Sequence, residues 1–335
     1  MRRVLWRYSA AGALLQRYVF CATIQGMSDL SPSRITIALC TYNGAHHLEA
    51  QLDSYLAQSY TQWDLWISDD GSQDATRVLL DDFSRKYGAG RDIRIIKGPC
   101  AGVAENFLSL LCHPEFPTQT CALSDQDDVW LPEKLALGMV GIEDDMPCLY
   151  GAQSIHTDAS LNPIGSSIGK GRPSFGNALV QNIVSGHSTM LNASALALVR
   201  AAGVPQGIPY HDWWLYQLIT GAGGRVVVRS DRVLLYRQHD ANAMGSHQGL
   251  RANFTRLSQM FGRTYGGWIA SNNAALRAVP HVLTPAARAT LAALAQAPPR
   301  VCALARLRIL YRHRIARQGL LGTVLLYLAV LLGRS

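Results

Sequence analysis

Apolar and polar positions fall into a regular rhythm from Arg34 onward. Residues 35–40 are a short β-rich apolar run that stops at Thr41-Tyr42-Asn43-Gly44. Leu48, Leu52 and Leu56 then recur four apart, the spacing of one helix face. Residues 63–67 predict a second strand, ending at Ser68-Asp69-Asp70-Gly71-Ser72, with Asp74 placed to cap a helix carrying Val78, Leu79 and Phe83. A third strand is expected over 93–96, followed by a helix from about Gly102, and a fourth over 121–123 that ends in Ser124-Asp125-Gln126-Asp127-Asp128. Strands alternating with helices predict right-handed crossovers and a mainly parallel sheet. Ligands of such sheets bind beyond the carboxyl ends of the strands. The polar clusters 41–43, 69–70 and 125–128, far apart in sequence, are therefore expected on one rim.

From about Met146 the rhythm weakens, with strand candidates at 188–191, 225–228 and 233–236 and a helix over about 212–219. Beyond Ala243 the pattern is helical. Hydrophobic residues are 48% of the chain and charged residues 16%, which excludes a disordered chain and allows a large core. The net charge of +8 conceals a segregation. Residues 241–335 hold twelve Arg and no Lys, Asp or Glu, whereas residues 28–240 hold 15 basic and 23 acidic side chains. An acidic centre argues against a nucleic-acid groove and suits divalent cations, while basic ends suit anionic lipid or phosphate. The seven cysteines include no CxxC pair and sit mostly among apolar neighbours, which reads as buried thiols in a reducing compartment. Residues 1–26 lack a clear cleavage site and precede a second Met at 27, so the extension 1–33 is expected to be dispensable.

The chemistry concentrates at the strand ends. Three carboxylates within four residues at 125–128 repel one another, and a cation relieves that repulsion. Mg²⁺ commonly takes one or two protein carboxylates and completes its shell with waters and phosphates, which suits a metal bridging a diphosphate. Asp69-Asp70-Gly71-Ser72 offers carboxylates to a base or ribose, or only to the donors of its own turn. His211-Asp212-Trp213-Trp214 places an acid at a predicted helix start beside two apolar ring faces, either a base with a sugar platform or a helix start with core aromatics.

The motifs at 35–44, Gln58-Ser59-Tyr60 with Trp63, 67–74 and Ser124-Asp125-Gln126-Asp127-Asp128-Val129-Trp130-Leu131-Pro132-Glu133-Lys134 occur in an order that resembles the family 2 glycosyltransferases of GT-A fold, in particular their bacterial rhamnosyltransferase-like branch. The resemblance covers about 34–245. It implies a GT-A-type, Rossmann-like mixed α/β sheet flanked by helices, with 246–335 a basic helical C-terminal extension. It implies an inverting transfer of a sugar, rhamnose for that branch, from a nucleotide-diphosphate donor to a saccharide or lipid-linked acceptor in surface-polysaccharide synthesis. Asp212 would be the catalytic base. Thr41, Tyr42, Asn43, Asp69, Asp70, Asn106, Asp125 and Arg237 would bind the donor. Asp125, Asp127 and His239 would hold Mg²⁺ or Mn²⁺, with Asp128 a further candidate, and Trp213, Trp214 and His187 would meet the acceptor. The region around Arg237 lacks the Trp that the family often has there, which leaves the separate roles of Arg237 and His239 open.

Five arginines between 306 and 317 precede an apolar run over 319–333. That run is too short to span a bilayer without thinning it, so an interfacial helix at an anionic membrane surface, peripheral at the inner face of the cytoplasmic membrane, competes with a helix packed on the domain itself. Two other functions compete with the transferase. A sugar-nucleotide nucleotidyltransferase would need a glycine-rich, basic loop after the first strand, which 41–44 lacks. A non-catalytic membrane-attached binding protein would not need the acidic motifs.

Overall fold

The computed structural model describes residues 33–142, 145–167, 171–238, 263–297 and 303–332. The first strand shows why the chain folds as layers. β1 (Ile35–Thr41) alternates its side chains. Ile35, Ile37 and Leu39 enter one core, while Ala38 and Cys40 enter the other, and all seven of its residues are buried. A strand apolar on both faces needs helices on both faces. One core is closed by α1 (Ala45–Leu56) and α2 (Thr76–Tyr87) through Leu48, Leu52, Tyr55, Leu80 and Phe83. The other is closed by α3 (Val103–Leu111) and, beyond the short α4 (Lys134–Gly141) and α5 (Phe175–Ala178), by α6 (Ala193–Ala202) and α7 (His211–Gly221), through Phe107, Leu196 and Trp214 among others.

The sheet continues through β2 (Trp63–Asp69), β3 (Ile93–Lys97), β4 (Cys121–Ser124), β5 (Val129–Trp130), β6 (Cys148–Thr157), β7 (Pro163–Ser166), β8 (Met190–Leu191) and β9 (Arg225–Arg237). Its order is β3-β2-β1-β4-β8-β6-β9-β5, with β7 paired to β6. The half formed by β3, β2, β1 and β4 is parallel, as the sequence rhythm predicts. The other half is not. β8 runs antiparallel to both β4 and β6, and β5 runs antiparallel to β9. The sheet is therefore mixed. β6 is the element that the sequence rhythm passes over, because Gly151, Gln153 and Ser154 interrupt its apolar run although its first seven residues are all buried. The expected strands at 225–228 and 233–236 are one 13-residue strand, whose register against β6 shifts near Gly151 and Gln153. Asp74 does not cap α2 from the N-cap position. Its carboxylate accepts from Thr76 N and from Ala45 N, both at 3.0 Å, and so joins the starts of two helices.

Arg34–Ser335 forms one compact unit. Residues 1–32, and with them the expectation for the N-terminal extension, lie outside the described residues. So do 239–262. The remaining helices of the C-terminal region pack on the same core as α7. They are α8 (Arg263–Ala278), α9 (Pro285–Gln296), α10 (Ala303–Arg312) and α11 (Leu320–Leu331), which contribute Leu276, Leu291, Leu294, Leu310, Leu326 and Val330. The link between α10 and α11 is pinned to the domain by polar contacts. Asn177 Nδ2 donates to Ala316 O at 2.9 Å, Arg317 Nη1 to Val180 O at 2.9 Å, and Gln318 N to Gln181 Oε1 at 2.7 Å. No described helix is long and apolar enough to cross a membrane. Because Leu326 is buried in the shared core, Leu326→Ala should remove about 3 kcal/mol from the stability of the whole unit. Chemical denaturation followed by tryptophan fluorescence checks this. A full-size loss in one cooperative transition is expected, and an unchanged midpoint would show that α11 is not part of the folding unit.

Candidate active site at the carboxyl end of the sheet

β4 stops at Ser124, whose hydroxyl lies 2.6 Å from the Tyr55 hydroxyl, and the chain turns through Asp125, Gln126, Asp127 and Asp128 before β5 pairs with β9. Asp128 is fully buried. Its Oδ1 accepts weakly from Arg237 N at 3.4 Å, and its Oδ2 has no hydrogen-bond donor. His187, on the 3-10 turn Gly186–Ser188, brings Nδ1 to 3.7 Å from Asp128 Oδ2 and 4.0 Å from Asp125 Oδ2. Asp125, Asp128 and His187 thus offer two carboxylate oxygens and one ring nitrogen, all within 4.8 Å of one another. A buried carboxylate oxygen without a donor is costly, and a cation there removes the cost. Two oxygens and an imidazole are a fitting donor set for Mg²⁺ or Mn²⁺.

The electrostatics agree with that assignment. Burial first, then the charges of Asp127 and Asp212, push Asp125 up to about 7. Burial and the charges of Asp127 and Asp125 drive Asp128 well above the usual carboxylate range. Burial, reinforced by the Lys134 charge, pushes His187 down to about 3, so its ring is neutral and keeps a lone pair for a metal. Lys134 is itself buried. Its Nζ lies 3.5 Å over the Trp130 ring and donates to the His187 carbonyl. Its charge is opposed by burial and supported by Asp128 and Asp125.

Asp212 closes the other side. It stands in the first turn of α7, where Oδ1 accepts from Trp213 N at 2.7 Å and Oδ2 from Gly186 N at 3.1 Å. A Cβ on Gly186 would meet His211 Nε2 at 2.5 Å, so glycine lets the turn bearing His187 approach α7 this closely. Each Asp212 oxygen keeps a second lone pair. Its charge is felt at Asp125 and at Tyr236, whose ring lies 4.7 Å from that of His187.

The other expected residues divide. Tyr42 is exposed, and its backbone N–H and C=O are both engaged by the Gln126 side chain at 2.8 and 2.9 Å, which ties the loop after β1 to the acidic turn. Thr41 donates to Asp69 Oδ1 at 2.9 Å, and Asp69 also accepts from Ser72. Asn43 takes a left-handed φ of 48° and accepts from Gln73 N. Asp70 accepts from Cys100 N at 2.7 Å and Gly102 N at 2.8 Å, and Asn106 exchanges hydrogen bonds with Ser68. These side chains stitch the strand-end loops together, and both Asp70 and Asp125 are felt at Cys40 on the end of β1. Arg237 donates to the Asp127 carbonyl at 3.1 Å and to the Ala159 carbonyl.

Three expectations change. Trp213 and Trp214 are buried to within 3%, and the Trp213 indole donates to Ala178 O, so neither ring face is open to a sugar; their apolar area belongs to the core under α7. His187 stands with the acidic cluster. Asp127 is not in the group of three, where Asp128 stands beside Asp125. His239 lies outside the described residues. Lys134 receives no role in the sequence reading. Its signal is a lysine within the Leu131-Pro132-Glu133-Lys134 stretch, one turn from an acidic run.

In comparisons with known proteins, residues 36–200 match the glycosyl transferase family 2 model. The chain is 25% identical over 246 residues to the dTDP-rhamnosyl transferase RfbG of Shigella flexneri, covering 68% of this chain and 80% of that one. It is 27% identical over 158 residues to the UDP-Glc:alpha-D-GlcNAc-diphosphoundecaprenol beta-1,3-glucosyltransferase WfgD of Escherichia coli, covering 47% and 59%. Among solved structures, the mannosyltransferase PcManGT of Pyrobaculum calidifontis, in complex with GDP-Man and Mn²⁺, superposes with a TM-score of 0.50 at 16% identity over 97% of this chain and 96% of that one. TarS of S. aureus, in complex with UDP-GlcNAc, gives 0.50 at 15% identity over 74% and 72%. These likenesses establish the GT-A type of α/β fold.

The raised Asp125 has a consequence for stability. An unfolded Asp titrates near about 3.9, and the folded one near 7. Between those values the native state holds a proton that the unfolded state has lost, so metal-free stability contributed here falls as pH rises through the window. Melting temperatures in chelator from pH 4.5 to pH 7.5, set roughly by that window, should decline more steeply for the wild type than for Asp125→Asn. Parallel profiles would remove the assignment.

Proposed function

We propose that this chain, a glycosyltransferase of family 2 through its residues 36–200, transfers a sugar with inversion from a nucleotide-diphosphate donor to a saccharide or lipid-linked acceptor during bacterial surface-polysaccharide synthesis. The observation that carries the reading is the meeting of Asp125, Asp128 and His187 with Asp212 across the end of β4. Rhamnose is the sugar favoured by the relative of greater coverage, a dTDP-rhamnosyl transferase. The acceptor would be met at the inner face of the cytoplasmic membrane, which the arginine-rich, acid-free segment 241–335 supports.

Asp125, Asp128 and His187 would hold the divalent cation, with Asp127 the next carboxylate on the same turn. The cation, when bound, offsets negative charge growing on the diphosphate as it leaves. The protein supplies the rest. Asp212 accepts the proton of the acceptor hydroxyl, and its position is fixed by the amides of Gly186 and Trp213. The freed oxygen attacks the anomeric carbon as the bond from that carbon to the diphosphate oxygen breaks, giving inverted product and nucleoside diphosphate. The loops after β1, β2 and β4, joined through Gln126, Ser72 and Asp69, give the donor a rigid rim, and Asp69, Asp70 and Arg237 shape it.

A panel of nucleoside diphosphates and nucleotide sugars, with and without Mn²⁺, tests the reading by thermal stabilisation. Asp127→Ala should weaken the metal-dependent part, whereas Asp125→Asn and Asp128→Asn should each abolish it. If Asp127→Ala alone did so, the buried group would be structural. Asp212→Asn should lower transfer by roughly a thousandfold while leaving donor stabilisation nearly unchanged. Transfer at the normal rate by that variant would require another base.

A further inference from the structure

α11 has two apolar faces, and the domain covers one of them. Leu326, Ala329 and Val330 are buried, whereas Leu320, Leu321, Val324, Leu328, Leu331 and Leu332 are 44 to 82% exposed. Spacings of four, eight and eleven from Leu320, and of seven and eleven from Leu321, set these six along one solvent-facing stripe. A contiguous row of large apolar side chains on a soluble face marks an interaction site. α10 packs beside α11 and exposes Leu304 and Tyr311 together with Arg308 and Arg312, and Arg314 follows in the link between them. That link is anchored to residues 177–181, so the stripe is held in a fixed position.

We propose that the exposed faces of α10 and α11 form a docking surface for an anionic lipid bilayer, with α11 lying in the interface and Arg308, Arg312 and Arg314 meeting lipid phosphates. The apolar stripe enters the outer edge of the acyl layer, and the arginines stand at headgroup level. Two observations select the bilayer over a second copy of the chain. The exposed charges described on α10 and the link beside the stripe, Arg308, Arg312 and Arg314, are all positive, so self-association through this face would set like charges against each other, whereas anionic lipid supplies the missing charge. α11 has 12 residues, a length of about 18 Å against a hydrocarbon core of about 30 Å, and its inner face is already packed, which fits shallow lateral insertion and excludes spanning. This deepens the membrane location proposed above and rests on that part of the reading, while remaining independent of the transfer chemistry.

Co-sedimentation of the full chain with phosphatidylcholine vesicles, with and without phosphatidylglycerol, tests it. The wild type should bind the anionic vesicles and release with salt. The exposed-stripe variant Leu321→Ser/Leu328→Ser should lose binding by roughly tenfold or more. Arg308→Gln/Arg312→Gln should weaken binding and flatten its salt dependence. Both variants should keep the metal-dependent stabilisation by nucleoside diphosphate, which shows that they fold and separates this surface from the active site. Wild-type protein left in the supernatant, equal binding by the Leu variant, or a lipid-free dimer that the Leu variant abolishes would each overturn the proposal.

Discussion

Mutual repulsion among carboxylates at the end of β4 is the constraint around which this molecule is organised. Asp125, Asp127 and Asp128 share one turn, and Asp212 adds its field from the start of α7. At Asp128, which is fully buried, that repulsion is expensive, since water cannot screen it there. The fold answers with a buried lysine over Trp130, with Arg237 bound to the backbone of the turn, and with a neutral imidazole turned toward the two innermost carboxylates. Lys134 and Arg237 lie near the cluster, yet Asp128 Oδ2 has no donor. This deficit of positive charge supports the cation proposed for the site.

The loops around the cluster owe their order to side chains that sequence motifs would assign to ligands. Asp69 holds Thr41 and Ser72, Asp70 holds the amides of Cys100 and Gly102, and Gln126 clamps the backbone of Tyr42. Such contacts and ligand binding are compatible roles. A carboxylate has about four lone-pair sites, and a rim that is already hydrogen-bonded loses little entropy when the donor arrives. Tyr42, exposed at the tip of this network, presents its ring to solvent beside the rim.

The C-terminal helices show how one segment can satisfy two surroundings. Leu310, Leu326 and Val330 complete a core that begins at β1, whereas the opposite side of α11 remains apolar without a protein partner. The tight turn at Arg314, with φ of 52°, and the contacts of Arg317 hold the last helix pair against residues 177–181. Catalytic rim and apolar stripe therefore belong to one compact unit, Arg34–Ser335.

Sequence alone determined the parallel half of the sheet and the acidic rim, because both obey local rules. Short apolar runs mark β1, β2 and β3, period-four spacing marks the helix after β1, and each strand ends where its polar cluster begins. The resemblance in motif order singles out Asp125 and Asp212 as candidates for separate roles. Tertiary structure decided the rest. β6 carries Gly151, Gln153 and Ser154 inside its buried stretch, so no unbroken apolar run marks it, and its neighbours β8, antiparallel, and β9, parallel, pair with it across more than 30 positions. Asp128 and His187 are separated by 59 positions, and only the close approach of the Gly186 turn to α7 sets them together. Trp213 and Trp214 look like a sugar platform from composition, and packing under α7 gives them to the core instead. The apolar run of α11 reads as uniformly hydrophobic, and which side of it meets protein depends on contacts with α8 to α10 that no local pattern encodes.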